Sequence, residues 1–173
     1  MDCDFLSSFL KINRIELVKQ VYHVDQIIIK QAVDTEISKT RLKVDMDRRG
    51  DIYIETVDPE IVFDDPNLGL GERESIALAT QYSSSVLLMS DKKAVRIAME
   101  QGVNVTNIPI FLSFCKAISL LTISEIAQII DDLATRNGYQ FRSEDRNHLL
   151  TFGASLETEL SNRQRDKTIF LGR

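Results

Sequence analysis

Cysteine is scarce: Cys3 and Cys115 are the only two in 173 residues, far apart, with no CxxC pair and no histidine close in sequence. That argues against a zinc ribbon or a disulfide framework, and a reducing cytoplasm is the expected setting. No apolar run approaches the ~20 residues that span a bilayer, and no basic-then-apolar leader opens the chain, so no membrane partner is expected. Excess positive charge is also missing. Lys and Arg number 21 against 26 Asp and Glu, a net charge of −5, which argues against holding nucleic acid by bulk electrostatics. An enzyme acting on nucleic acid stays open, because a bound metal and local basic patches can set the field at a site. Internal repeats and low-complexity segments are absent. Neither His23 nor His148 is placed to serve a Ser-His-Asp or Cys-His arrangement.

What is present is an ordinary apolar fraction of 43% with 27% charged residues, enough for one domain with a proper core. Apolar spacing predicts helices over Phe5–Ile12, capped by Asp4, and over Ile15–Tyr22. The β-branched run Gln26–Ile29 predicts a buried parallel strand, followed by a helix from Gln31 to Lys39. Arg41–Asp51 reads as a polar surface segment, partly helical, and Ile52–Val57 as a strand near an edge. A loop over Asp64–Gly69 precedes a helix from Gly71 to Tyr82. The strand Val86–Met89, a helix from Ser90-Asp91 to Gly102 and a short strand Val103–Val105 follow. Helix–strand–helix–strand order predicts an α/β fold with a parallel sheet. Beyond Pro109 the pattern is helical: Ile110–Ile118, then Ser124 to Arg136 with Ser124 as N-cap, then Ser143–Leu150. From Thr151 the apolar residues thin out into a charged tail, which sets the expected division into a domain over 1–150 and a tail over 151–173.

Asp2, Glu36, Glu72 and Asp91 each sit where an apolar run gives way to a helical pattern. In an open α/β sheet those junctions gather at the carboxyl ends of the strands, where ligands bind. Carboxylates brought together there repel one another, and a divalent cation is the natural counter-charge. Each acid also has a plain reading. Asp91 and Glu72 suit helix N-termini, Glu36 suits a solvent-facing helical position, and Asp2 alone would be mobile.

The segments Gly71-Glu72-Arg73-Glu74-Ser75-Ile76-Ala77-Leu78-Ala79 and Leu87-Leu88-Met89-Ser90-Asp91-Lys92-Lys93-Ala94 resemble the PIN-domain family. They are closest to its branch with the pattern GExxAIxLA followed by LLxDDxxA. Asp2-Cys3-Asp4-Phe5-Leu6 resembles that family's opening motif, and Ala32-Val33-Asp34-Thr35-Glu36-Ile37 its AVxxE stretch. The resemblance spans roughly residues 1–150. It implies a three-layer α/β/α sandwich with a central parallel sheet. It also implies a metal-dependent nuclease, mostly acting on RNA, and in many prokaryotic members a VapC-like toxin held by an antitoxin.

Carried over by position, the resemblance makes Asp2, Glu36, Glu72 and Asp91 the catalytic acids. Asp2, Glu72 and Asp91 become ligands of Mg2+ or Mn2+, and Glu36 a second ligand or a water-orienting base. Asn107 is expected to hold a metal-bound water, and Ser90 to contact phosphate or cap its helix. The chain departs from the family in four places. Only Met1 stands where an apolar first strand is expected, so either the true start lies upstream or that strand is truncated. Cys3 replaces a small hydroxyl residue, Ser90 stands where the branch often has Asp, and Lys93 occupies the place of a further Asp.

Expected partners are an RNA substrate, an antitoxin protein and a second copy of the chain. Two rival functions stand beside this one: a non-catalytic PIN-like binding module, and a nuclease acting on flaps or single strands of DNA. Arg41, Lys43, Arg48 and Arg49, with Arg163, Arg165 and Lys167 of the tail, read either as an RNA path or as solvated charge. Cys115 reads as an apolar filler.

Overall fold

The computed structural model describes residues 1–55, 65–82 and 84–151. The tail beyond Thr151, Thr56 and Val57 of the expected strand, and Asp64 of the expected loop lie outside the described residues. The chain opens with α1 (Cys3–Lys11) and α2 (Glu16–Tyr22), then β1 (Ile27–Lys30), α3 (Gln31–Ile37), α4 (Leu42–Asp47) and β2 (Ile52–Glu55). There follow α5 (Leu70–Gln81), β3 (Leu87–Leu88), α6 (Lys92–Glu100) and β4 (Val105–Thr106). The described residues end with α7 (Ile108–Ala117), α8 (Ile123–Asn137) and α9 (Ser143–Leu150).

The strands pair in parallel, β1 with β2 (Ile27 opposite Ile52) and β3 with β4 (Leu87 opposite Val105). Met1 and Asp2 join the two pairs. The Met1 amino group donates to Ile28 O at 3.1 Å, and Asp2 N donates to Leu88 O at 2.9 Å. Two two-stranded parallel sheets, β1-β2 and β3-β4, are thus bridged by one hydrogen bond each from Met1 and Asp2.

Period-two alternation then sorts the strand side chains onto two faces. Ile27, Ile29 and Leu88 enter a large core with α1, α2, α7 and α8, whereas Leu87 and Met89 enter a second core with α5 and α6. This is the expected α/β/α sandwich. At the centre of the larger core Phe5 stacks on Phe9 with centroids 4.8 Å apart, and Phe111 meets both rings edge-on at 5.6 and 5.2 Å. Cys115 is fully buried beside them, as an apolar filler should be.

Several boundaries move, each for a local reason. Asp2, not Asp4, caps α1, its side chain accepting from Phe5 N, so Asp4 falls in the first turn. The cap of α8 is Thr122 rather than Ser124, because Thr122 and Glu125 form a reciprocal capping box that Ser124 has no partner to match. Asn107 accepts from Ile110 N and admits Pro109 into the first turn of α7, where its missing N–H is not needed. The final strand starts later than Val103, because Val103 N is occupied with Ala98 O at the end of α6. The polar segment after Arg41 is largely helical, and buries Met46.

Candidate active site

Three of the four acids named from the sequence are helix-start residues, which is why they arrive at one edge of the sheet. Asp2 precedes α1, Glu72 lies in the first turn of α5, and Asp91 precedes α6. Glu36 lies near the end of α3 instead, and reaches this edge through the packing of α3 against α5. At the helix interface Gly71 has no side chain, and a Cβ there would stand 3.8 Å from both carboxylate oxygens of Glu36.

Asp2 is the most constrained. Its residue is only 3% exposed, with Oδ1 accepting from Phe5 N at 2.7 Å and Oδ2 accepting from Ser90 N at 2.8 Å. Far from being mobile, it ties the start of the chain to the end of β3. Burial pushes its carboxyl up to about 6, against the pull of those two N–H groups and of the Met1 amino group. The amino group moves the other way, down to about 6, because burial disfavours its charge more strongly than Asp2 favours it.

Glu72 is half-buried. Its Oε2 accepts from Gly69 N at 2.7 Å, closing the start of α5. Burial pushes its carboxyl above the ordinary range, the Gly69 N–H opposes this, and the charges of Asp91, Asp4 and Glu36 add to the rise. Glu72 thus feels two of the predicted acids and one that sequence reading missed as a site residue. Asp4 lies one helical step from Asp2 in the first turn of α1, and its signal was present in the motif Asp2-Cys3-Asp4 but was spent on the cap. Asp91 is exposed, with Oδ1 accepting from Ala94 N at 2.8 Å, so its cap role holds beside any other. Cys3 lies within this acidic surround: burial first, then hydrogen bonding to the Glu36 carboxylate, pushes its thiol up to about 12. It is a poor nucleophile there.

The donor chemistry suits a hard divalent ion: carboxylate oxygens, mutually repelling, without a thiolate. A second sign is the Ser90 hydroxyl, whose Oγ is buried with no hydrogen-bond partner among the described residues, between Asp2 and Asp91 in the chain path. As the side chains stand, no three of the described Asp, Glu, His and Cys residues are gathered tightly enough to grip one ion. Asn107 is occupied by its cap bond to Ile110 N at 3.0 Å.

The basic cluster is largely spoken for. Lys43 pairs with Asp34 at 2.8 Å and Asp47 at 2.7 Å, and Arg49 with Glu16 and Asp51. Arg48 is exposed, and its nearest carboxylate is Asp45 at 3.9 Å. His23 and His148 are exposed. Among the described residues, no helix is long and apolar enough to cross a membrane.

A family model described as "PIN domain" matches residues 1–151. No curated protein and no solved structure matches the chain.

Proposed function

The chain belongs to the PIN-domain family, whose members are generally nucleases, and from this we propose that it is a metal-dependent endoribonuclease. The observation that carries the reading is the rise of Glu72, pushed up by burial and by the charges of Asp91, Asp4 and Glu36. Burial first, then the charges of acids on three other helices, raise the proton affinity of Glu72 at the strand ends, and a bound cation would offset that. A hard divalent cation, Mg2+ or Mn2+, supplies a nucleophilic water at neutral pH and relieves charge on the phosphate.

Asp2, Glu72 and Asp91 would hold that ion. Glu36, exposed at the rim, orients water or adds a ligand. Ser90 offers its hydroxyl, without a hydrogen-bond partner among the described residues, to a phosphate oxygen, and its N–H keeps Asp2 in place. The substrate is RNA, the setting cytoplasmic, and the partners an antitoxin protein and a second copy of the chain, as in the toxin–antitoxin pairs of the family.

One observation favours the rival reading of an interaction module without catalysis: both Asp2 oxygens are already engaged by backbone N–H groups. A single experiment separates the readings. Single-stranded RNA and DNA of matched sequence are incubated with the protein and Mg2+, with EDTA, and with Asp91→Asn. The proposal expects RNA cleavage that EDTA and the folded variant both abolish. Full activity of folded Asp91→Asn removes Asp91 from the site. Cleavage of DNA alone reassigns the substrate, and no cleavage of either leaves the interaction module.

A further inference from the structure

Two pairs of exposed cations flank the acidic cluster, one on each side. Lys92 and Lys93 open α6 directly after Asp91, and Lys39 and Arg41 closely follow Glu36 at the end of α3. Among the described residues, none of these four forms a side-chain hydrogen bond or an ion pair. Neighbouring basic residues are committed: Lys43 and Arg49 to carboxylates, and Arg96 to Glu100 at 3.8 Å.

The fold holds the pairs apart. Helix α3 continues from β1 and α6 follows β3, with the Met1-Asp2 segment bridging the two strands. Ser90 N, donating to Asp2 Oδ2 at 2.8 Å, pins the start of α6 beside that of α1. On the other flank Lys39 N donates to Glu36 O at 3.2 Å, which ties Lys39 to the turn that carries Glu36. The start of α5 lies between: α3 packs on it at Gly71, and the charge of Asp91 reaches Glu72 from the α6 side. Lys93 reaches the same region. Asp65, in the loop leading into α5, is held below the usual carboxylate range first by the Asn67 N–H and amide, and then by the charges of Lys93 and Arg73.

Lys92 and Lys93 also run against a local rule. A helix N-terminus carries partial positive charge and favours acids, yet the first turn of α6 has none and holds two ammonium groups behind its single capping carboxylate. Folding gains no contact from them, whereas an anionic ligand would.

We propose that these four cations hold the phosphates of one nucleic-acid strand on either side of the acidic cluster, so that the strand crosses the start of α5 from the α6 flank to the α3 flank. Nucleic acid as the ligand rests on the nuclease reading; the path itself does not require cleavage. A chain of net charge −5 repels a polyanion as a whole, so attraction has to be local. Cations on exposed stems bind phosphates without reading bases, so they position the strand rather than select its sequence.

The test titrates a labelled single-stranded RNA with the full chain in EDTA, where no cleavage intervenes, between about 50 and 200 mM salt. Compared with the native protein are Lys92→Gln/Lys93→Gln, Lys39→Gln/Arg41→Gln, Lys92→Arg/Lys93→Arg and, as control, Arg14→Gln, exposed beyond the far end of α1 from Asp2. Each Gln pair should weaken binding at least about ten-fold at the lower salt. It should also flatten the slope of log K against log[salt] by about 1.4, twice the ~0.7 expected per phosphate of a single strand. The Arg pair should keep the native slope, and Arg14→Gln should stay within about two-fold of native affinity. All variants should melt within about 2 °C of the native chain, as exposed substitutions do. Loss from only one flank overturns the crossing path, and so does an equal loss in Arg14→Gln or no binding by the native chain. Poly-glutamate bound with the same dependence on both pairs assigns the surface to an acidic protein segment and overturns the proposal too. A protein that cleaves RNA yet shows none of these losses keeps the nuclease reading and loses this one; an inert protein that shows them all does the reverse.

Discussion

Replacing Asp2 by Asn should produce a stability difference that depends strongly on pH. The asparagine keeps one acceptor oxygen, so either Phe5 N or Ser90 N loses its partner and faces an NH2 group. A buried donor left unsatisfied costs about 1–3 kcal/mol. Against that stands the charge that the substitution removes. The carboxyl rises from 3.8 to about 6 on folding, roughly 3 kcal/mol of penalty on its ionised form. Because the folded value lies above the unfolded one, the native protein has this group's full contribution below 3.8 and loses it as pH climbs through about 6.

The Met1 amino group works in the opposite sense. Its value falls from 8.0 to about 6, so its contribution is intact above 8 and lost as pH falls through 6. It is present in both proteins and largely cancels in their difference. At pH 4 the variant should be less stable by about 1–3 kcal/mol, the cost of the unsatisfied donor. At pH 7.5 it should equal the native chain or exceed it by up to about 2 kcal/mol. The chain has no tryptophan, so urea unfolding is best followed by far-UV circular dichroism, in EDTA. A difference that stays flat from pH 4 to 7.5 refutes the buried, strained carboxylate. On the nuclease reading, Mg2+ at 100 times its Kd should add about 2.7 kcal/mol to the native protein at pH 7.5, and little to the variant.

Phe111→Ala removes the ring that meets both Phe5 and Phe9, and should cost about 3–5 kcal/mol in urea unfolding, with loss of near-UV tyrosine ellipticity as the larger core loosens. Gly71→Ala should be tolerated or stabilising by about 0.5–1 kcal/mol, because its Cβ would meet Val33 Cγ2 at 3.6 Å, an ordinary contact, within a helix that disfavours glycine; a loss above that size in thermal melts contradicts the packing. Lys116→Met should free the end of α9, whose carbonyls at His148, Leu149 and Thr151 all accept from Lys116 Nζ. Amide exchange across Ser143–Leu150 should then accelerate by about ten-fold or more while α8 stays protected.

Much of this protein is legible in its sequence because short-range rules settle it. The β-branched run at Ile27–Ile29 and the apolar Leu87-Leu88 become strands whose alternate residues serve opposite cores, and Asp91 caps the helix it precedes. The acids reach one edge of the sheet largely because residues at strand-to-helix junctions must lie there in a parallel α/β fold. Where two equivalent caps competed, as with Asp2 and Asp4 or Thr122 and Ser124, the winner depended on a partner the pattern does not encode. Only tertiary structure decided that Asp2 is buried and doubly hydrogen-bonded, since one of its partners, Ser90, lies 88 residues away. Only it paired Lys43 and Arg49 with acids, turning an apparent nucleic-acid path into ion pairs.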